Sequence, residues 1–298
     1  MKPFLLFLII SLTCVASSIV WPNGFKVRPK VCSIEARAPK ATFGQFTINE
    51  PNERGSRKNY AIRTDADFVT RDSRLGFIRK VYTIFGAQMV TTALVVYGLM
   101  NNPQLMSLVH ENYTFISFAS FLVSMIAIGG LVSFPQLRYR APSNFILLGI
   151  HTLMQSIMVG AFTGLMDPKN VIVGAMHTLC VFLAITVYSF QPNPRYDLSG
   201  MGNTLLSILI SLLVATIGKN FFQVPWMDNL LAGAGAVLFG VYLYVDMQRI
   251  IGGTHHKAQY GQKEYILAAL NIYQDVISLF IEIVKILNKR DRDQTDNK

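Results

Sequence analysis

Residues 114–134 read TFISFASFLVSMIAIGGLVSF, a run without a single Asp, Glu, Lys or Arg. An α-helix rises about 1.5 Å per residue, so about 20 apolar residues cross the roughly 30 Å hydrocarbon core of a bilayer. This stretch has that length, and comparable stretches recur on both sides of it. The pattern predicts spans over 79–100, 114–134, 144–166, 169–190, 203–222, 229–251 and 265–287. Helix-stopping residues separate them: Asn101-Asn102-Pro103, Pro135, Pro142, Asp167-Pro168, Pro192 with Pro194, and Gly252-Gly253. Connections this short turn neighbouring helices antiparallel. The fold class expected is all-α, a polytopic membrane bundle of about seven transmembrane helices.

Composition agrees: 51% of residues are hydrophobic, 15% are charged, and the mean hydropathy is +0.37. A net charge of +10 would point to nucleic acid in a soluble protein. Here the basic residues gather in tails and loops, where membrane topology expects them, so lipid is the partner and nucleic acid is not. Cys14, Cys32 and Cys180 lie far apart and make no metal or redox spacing.

Four regions follow. Residues 1–20 read as a signal or targeting segment: Lys2, an apolar run from Phe4 to Val15, then the small Ala16, Ser17 and Ser18. The alternative is a further N-terminal helix that is never cleaved. Residues 21–76 form a flexible basic tail without a sustained period, 77–288 the membrane domain, and 289–298 a polar C-terminal tail. Arg71, Arg74, Arg79 and Lys80 flank the first span, and Arg138, Arg140, Arg195, Lys257 and Lys263 fall on the same side, which places that side in the cytosol or its equivalent. Two features oppose this orientation. A cleaved signal would first carry the tail across the membrane. The C-terminal Lys289, Arg290 and Arg292 are basic, although an odd number of spans puts them on the other side.

Charge inside the spans is confined to the last two. The first five interiors carry no Asp, Glu, Lys or Arg, whereas Asp246 lies in the sixth span, and Asp275 and Glu282 lie in the seventh. An ionisable group at mid-membrane costs roughly 2.5–3.5 kcal/mol on insertion scales, so such groups face a cavity or a partner. Asn271, Asp275, Ser278, Glu282 and Lys285 recur at steps of four and three, one face of a helix. Tyr242, Asp246 and Arg249 make a shorter stripe on the sixth span. Two such faces on consecutive antiparallel helices can meet and line a path, with the Asp246 and Asp275 carboxyls near enough to interact. The alternatives are a seventh segment lying in the interface, and aspartates that each serve a separate interhelical hydrogen bond. Facing carboxylates cannot both ionise cheaply and titrate as a unit; as hard oxygen ligands they also suit calcium.

The remaining polar residues read more plainly. His151 and His177 lack a carboxylate or cysteine at ligand spacing, Gln88 and Gln155 suit hydrogen bonding between helices, and Gly233, Ala234, Gly235 and Ala236 suit close helix packing. His255 and His256, in the sixth loop, read as a solvated pair, with pH sensing as the alternative.

Three stretches resemble the Bax-inhibitor-like membrane family, also called the TMBIM or Lifeguard family. They are Phe77-Ile-Arg-Lys-Val-Tyr82; Phe190-Gln191 with Tyr196-Asp-Leu-Ser-Gly-Met-Gly202; and Tyr244-Val-Asp246-Met-Gln-Arg249-Ile-Ile-Gly-Gly253 with Glu264-Tyr-Ile-Leu-Ala-Ala-Leu-Asn271-Ile-Tyr-Gln-Asp275. The similarity covers about residues 74–288. It implies a seven-helix fold and a pH-sensitive calcium leak across an internal membrane, associated with suppression of cell death. It also implies that Asp246 and Asp275 are the proton-sensing pair that gates the ion path; the helix faces add Arg249, Asn271, Ser278 and Glu282 as supporting residues and make the two aspartates the calcium ligands. Calcium is then the permeant ion, no cofactor is bound permanently, and cell-death regulators are partners. The location implied is the endoplasmic reticulum or another endomembrane; the signal-like start makes an organelle membrane the alternative. Two departures stand out. Some relatives supply a basic partner from the second span and residues 114–134 offer none, and Gln155 stands in a stretch where many members carry a carboxylate.

Two other functional classes fit less well. An intramembrane aspartyl protease also places one Asp on each of two late helices, but its second motif needs Gly-x-Gly-Asp where this chain has Asn271-Ile-Tyr-Gln-Asp275. The chain is therefore expected not to be an enzyme. A non-conducting scaffold that binds cell-death regulators is the alternative to a channel.

Overall fold

The computed structural model describes residues 65–191, 196–222, 227–252 and 260–296. The readings made for 1–64, for residues 192–195, and for His255, His256 and Lys257 fall outside those residues. Nine α-helices occupy the described residues: α1 Asp65–Asn101, α2 Pro103–Glu111, α3 Tyr113–Ser133, α4 Pro135–Tyr139, α5 Ser143–Thr163, α6 Pro168–Ser189, α7 Gly202–Phe222, α8 Met227–Ile251 and α9 Tyr265–Asp296. Six are long and apolar enough to cross a membrane, namely Ser73–Asn101 of α1, then α3, α5, α6, α8, and Tyr265–Arg290 of α9. The seventh expected span, α7, has a shorter apolar stretch, Gly202–Gly218.

The boundaries differ from the hydropathy pattern where polar sequence continues a helix. The first helix begins at Asp65, ahead of the start at 79 and within the stretch read as tail. The last continues to Asp296, through the polar residues after 288. No proline or glycine interrupts 65–75 or 288–296, so the i→i−4 hydrogen bonds run past the apolar edge. Hydropathy marks a membrane boundary, not a helix end. The prolines read as stops also open helices. Pro103 and Pro135 stand in the first turns of α2 and α4, where a missing N–H costs nothing. Asn102 caps α2, its Oδ1 accepting from the amides of Gln104 and Leu105 at 3.1 and 3.3 Å.

The helices are apolar outward and mixed inward. On α3, Phe115, Phe118, Leu122 and Ile126 are exposed, while Ser117, Ser120, Ser124 and Ala127 are buried against α5. Water-soluble helices show the reverse. In a bilayer, small and hydroxyl side chains let backbones approach while the large apolar ones meet lipid. α9 lies at the centre and packs against α8, α6, α1 and α5, with α3 against α5 on one side and α7 against α8 on the other. Its residues Ile266–Leu279 are buried with few breaks. Gly174 on α6 permits one of these contacts, because a Cβ there would stand 2.5 Å from Val284 Cγ2. A valine in a helix has little rotamer freedom with which to move aside.

Gly174→Ala is expected to push α6 off α9 and lower stability by about 1–3 kcal/mol. Gly233→Ala, where nothing lies within 4 Å of the new methyl, is expected to be neutral. Thermal unfolding of the two variants in detergent checks the contrast.

Candidate functional site

The last turns of α8 bury a run of side chains from Val245 to Ile250, with Asp246 and Arg249 among them. The helix then ends at Gly252, whose φ of 60° is open to glycine at little cost and whose N–H closes on Gln248 O at 2.9 Å. Beyond it the chain returns over the helix end, where Tyr260 N donates to Arg249 O at 3.1 Å. Tyr265 then starts α9, which carries Asn271 and Asp275 down past α8.

The two aspartates meet. Asp246 and Asp275, both buried, lie near enough across the α8–α9 contact for their carboxyls to interact electrostatically. Asp246 Oδ1 also accepts from Arg249 Nη1 at 3.3 Å and from the Tyr260 hydroxyl at 3.4 Å. Asn271 Nδ2 donates to that hydroxyl at 2.6 Å. Burial pushes the Tyr260 phenol well above its usual value, so it serves as a neutral donor. Asp275 Oδ2 and the Tyr242 hydroxyl are buried without a hydrogen-bond partner. Arg249 and Asn271 belong to the same cluster, one bonded to Asp246 Oδ1 and the other to the Tyr260 hydroxyl.

Ser278 and Glu282 share the face but not the cluster. Ser278 Oγ accepts from Gln274 Nε2 at 3.5 Å. Glu282 lies seven residues beyond Asp275, about 10 Å along the helix, where its Oε1 accepts from Lys285 Nζ at 2.9 Å. Among the described residues no three of His, Cys, Asp and Glu surround one point. A cation at the aspartates would therefore meet two carboxylates and neutral oxygens, far short of the six to eight oxygens of a tight calcium site. That suits an ion in passage better than a resident one.

Several participants carry no signal in the hydropathy pattern. Arg74, at the start of the membrane part of α1, caps the end of α8. Its Nε, Nη1 and Nη2 donate to Ile251 O, Tyr260 O and Arg249 O at 3.1, 2.7 and 2.5 Å. A cation there answers the negative end of the helix dipole. The segment after α6 straps the same end: Arg249 Nε donates to Ser199 O at 3.0 Å, and Gln248 Oε1 accepts from Leu198 N at 2.9 Å. The missing basic residue of the second span is thus answered by Arg249, from the aspartate's own helix. Tyr260 has no sequence signal at all; Arg74, Leu198 and Ser199 lie in or beside stretches already singled out.

A second polar cluster occupies the opposite face of α9. The Tyr273 hydroxyl lies 2.9 Å from Thr92 Oγ1, Ser156 Oγ donates to Thr92 Oγ1 at 3.0 Å, and Gln88 Nε2 donates to Thr152 Oγ1 at 3.0 Å. His151 Nδ1 pairs with Ser124 Oγ at 2.7 Å. Gln88 joins helices as expected. Gln155 does not: it is fully buried, and neither amide atom has a hydrogen-bond partner. His177 is exposed and bonds only its own helix, through Val173 O at 2.8 Å. Of the small residues on α8, Gly235 is the close contact, its position lying against Glu282, while Gly233 faces open space.

Residues 74–292 match the family model described as Bax1-I, inhibitor of apoptosis-promoting Bax1. Among curated proteins the chain is 31% identical to Bax inhibitor 1 of Schizosaccharomyces pombe over 215 residues, which are 72% of this chain and 76% of that protein. It is 29% identical to Protein lifeguard 3 of Homo sapiens over 224 residues, 74% of this chain and 70% of that protein. It is also 29% identical to Protein lifeguard 4 of Mus musculus over 214 residues, 72% and 85% respectively.

Removing Arg249 strands Asp246 in the bundle. Arg249→Met is expected to destabilise by about 3–5 kcal/mol, the scale of breaking a buried ion pair. Adding Asp246→Asn should recover much of the loss, because the uncompensated charge goes with it. Melting temperatures of the single and double variants in detergent measure the coupling.

Proposed function

Because the chain belongs to the Bax-inhibitor family of integral membrane proteins, we propose that it is a pH-sensitive calcium leak channel gated by Asp246 and Asp275. The observation that supports this reading is the placement of two buried carboxyl groups near one another across the α8–α9 contact. Two carboxyls can bond to one another only while one holds a proton. In the closed form such a bond would join α8 to α9 and keep the seam shut. When the proton leaves, two like charges repel across a poorly hydrated contact, and the same oxygens become ligands for a hard cation. Proton loss thus weakens the closed form and creates the cation site in one event. Tyr260, held as a neutral phenol, keeps its donor role through that change.

The protein's role is transport rather than catalysis, with calcium as permeant ion and no permanently bound cofactor. The family description, an inhibitor of apoptosis-promoting Bax1, supports a part in suppressing cell death, with cell-death regulator proteins as partners. Family membership favours the endoplasmic reticulum or another endomembrane, and the targeting segment at 1–20 offers delivery to an organelle membrane as the alternative.

Calcium flux into liposomes holding the purified protein is expected to rise as pH is raised through the titration of the pair. Asp275→Asn should flatten that profile, since a single carboxyl cannot share a proton with an amide. A variant with the full wild-type profile would refute the gate, and wild-type vesicles tight to calcium at every pH would favour a scaffold. Sequencing the N-terminus of the protein from its native membrane is expected to find residues 1–20 absent. Recovery of an intact Met1 would leave them as an uncleaved membrane segment.

A further inference from the structure

Charged groups line the α8–α9 seam well beyond the aspartate pair. Asp228 opens α8 and Asp246 lies eighteen residues on, about 27 Å along the helix, close to the thickness of the hydrocarbon core. Facing that length, α9 carries Asp275, Glu282, Lys285 and Lys289. Lys289 Nζ lies 3.9 Å from Asp228 Oδ2 at one end, Arg249 holds Asp246 at the other, and Glu282 with Lys285 falls between. The seam therefore has acids and bases at three levels across the membrane.

The middle level is built to seat its carboxylate. Glu282 is 2% exposed, and its side chain lies against Gly235 of α8. A Cβ at Gly235 would stand 3.1 Å from both Cγ and Cδ of Glu282, tighter than ordinary packing. A methyl there would require the Glu282 side chain to give way by a few tenths of an ångström. The Lys285 ammonium lies 2.9 Å from Glu282 Oε1 at the end of a long flexible stem, and its side chain is 16% exposed against 2% for the glutamate. Stability alone does not account for this placement, because a buried ion pair is commonly matched or bettered by apolar residues of the same volume. A carboxylate seated by packing and a base on a long, partly exposed stem make an unequal pair. The acid stays and the base can leave.

We propose that Glu282 is a second cation-binding carboxylate on the α8–α9 route and that the Lys285 ammonium is its tethered plug, occupying the place a permeating hard cation takes. The proposal rests on the channel reading above and adds a second station about 10 Å beyond the aspartates. A cation that has passed Asp246 and Asp275 meets a carboxylate already neutralised by an amine. It moves on by displacing that amine toward Asp228 and the open end of the seam.

The two partners then have opposite effects on flux, which a merely structural ion pair would not give. Lys285→Met uncovers the carboxylate and is expected to raise calcium flux by about tenfold, whereas Glu282→Gln leaves an unpaired amine in the route and should lower it by about tenfold, the scale on which a close charge pair couples. Both are measured in liposomes, with the melting temperature of each variant checked in detergent. A second measurement uses the unaltered protein: acylation of Lys285 by an amine reagent, followed by peptide mass spectrometry, with and without calcium. Calcium should raise Lys285 labelling several-fold while leaving Lys169, outside the seam, unchanged. If both variants shift flux in one direction, or neither shifts it while Asp275→Asn still alters the pH profile, the plug is overturned and the aspartate gate stands. If wild-type vesicles pass no cation at all, the channel reading fails, and the labelling experiment judges the exchange alone. Calcium-enhanced labelling then upholds Glu282 as a cation site, and unchanged labelling overturns it.

Discussion

The arrangement depends on enclosing a helix that carries carboxylates within a bundle whose outer surface is apolar. α9 is surrounded by α8, α6, α1 and α5, so none of Asn271, Asp275 or Glu282 can turn to water or lipid. Each such charge costs several kcal/mol unless answered, and α9 has neighbours on every side from which answers must come. The rest of the architecture follows from those answers. α8 supplies Asp246 and Arg249, its Gly235 leaves room for Glu282, and the two helices meet along a polar seam inside an otherwise apolar protein.

The end of α8 bears most of the consequence. Its last carbonyls are taken by Arg74 from α1 and by the backbone of Tyr260, and its Gln248 and Arg249 hold the strap that follows α6. The aspartate pair is thus connected to three separated parts of the chain through one helix terminus. A charge change at Asp246 alters its bonds to Arg249 and Tyr260 first, and both of these hold a neighbouring segment. Direct hydrogen bonds thus link Asp246 to the residues that hold those segments. The polar cluster on the other face of α9, around Thr92, Ser156 and Tyr273, ties the central helix to α1 and α5.

Membership in the Bax-inhibitor family and the local chemistry bear on different parts of the site. Family similarity covers the membrane domain and stops short of the first 73 residues. Departures from the family pattern are met within this chain: the cation beside Asp246 is Arg249, three residues away on the same helix. Gln155, in place of a carboxylate, is buried with both amide atoms unpartnered. A neutral amide can sit in that position at far lower cost than an acid.

The sequence by itself determined the all-helical membrane class, the approximate spans, and the stripe that places Asp275 and Glu282 on one face of the last helix. Those properties depend only on the length, period and polarity of each segment taken alone, and they are legible because a bilayer imposes the same length and polarity on every span. The burial of Asp246 and Asp275 on adjoining helices was also readable, since consecutive antiparallel helices have few ways to bury two acids. Tertiary structure alone decided the rest. Arg74 reaches carbonyls 175 to 186 residues away, and Ser199 meets Arg249 across 50 residues. Tyr260 comes from a connection with no period to read, and Gly235 matters only because Glu282 faces it. Such contacts depend on how helices rotate and cross, and hydrophobic patterning leaves those rotations free until the buried polar groups find partners.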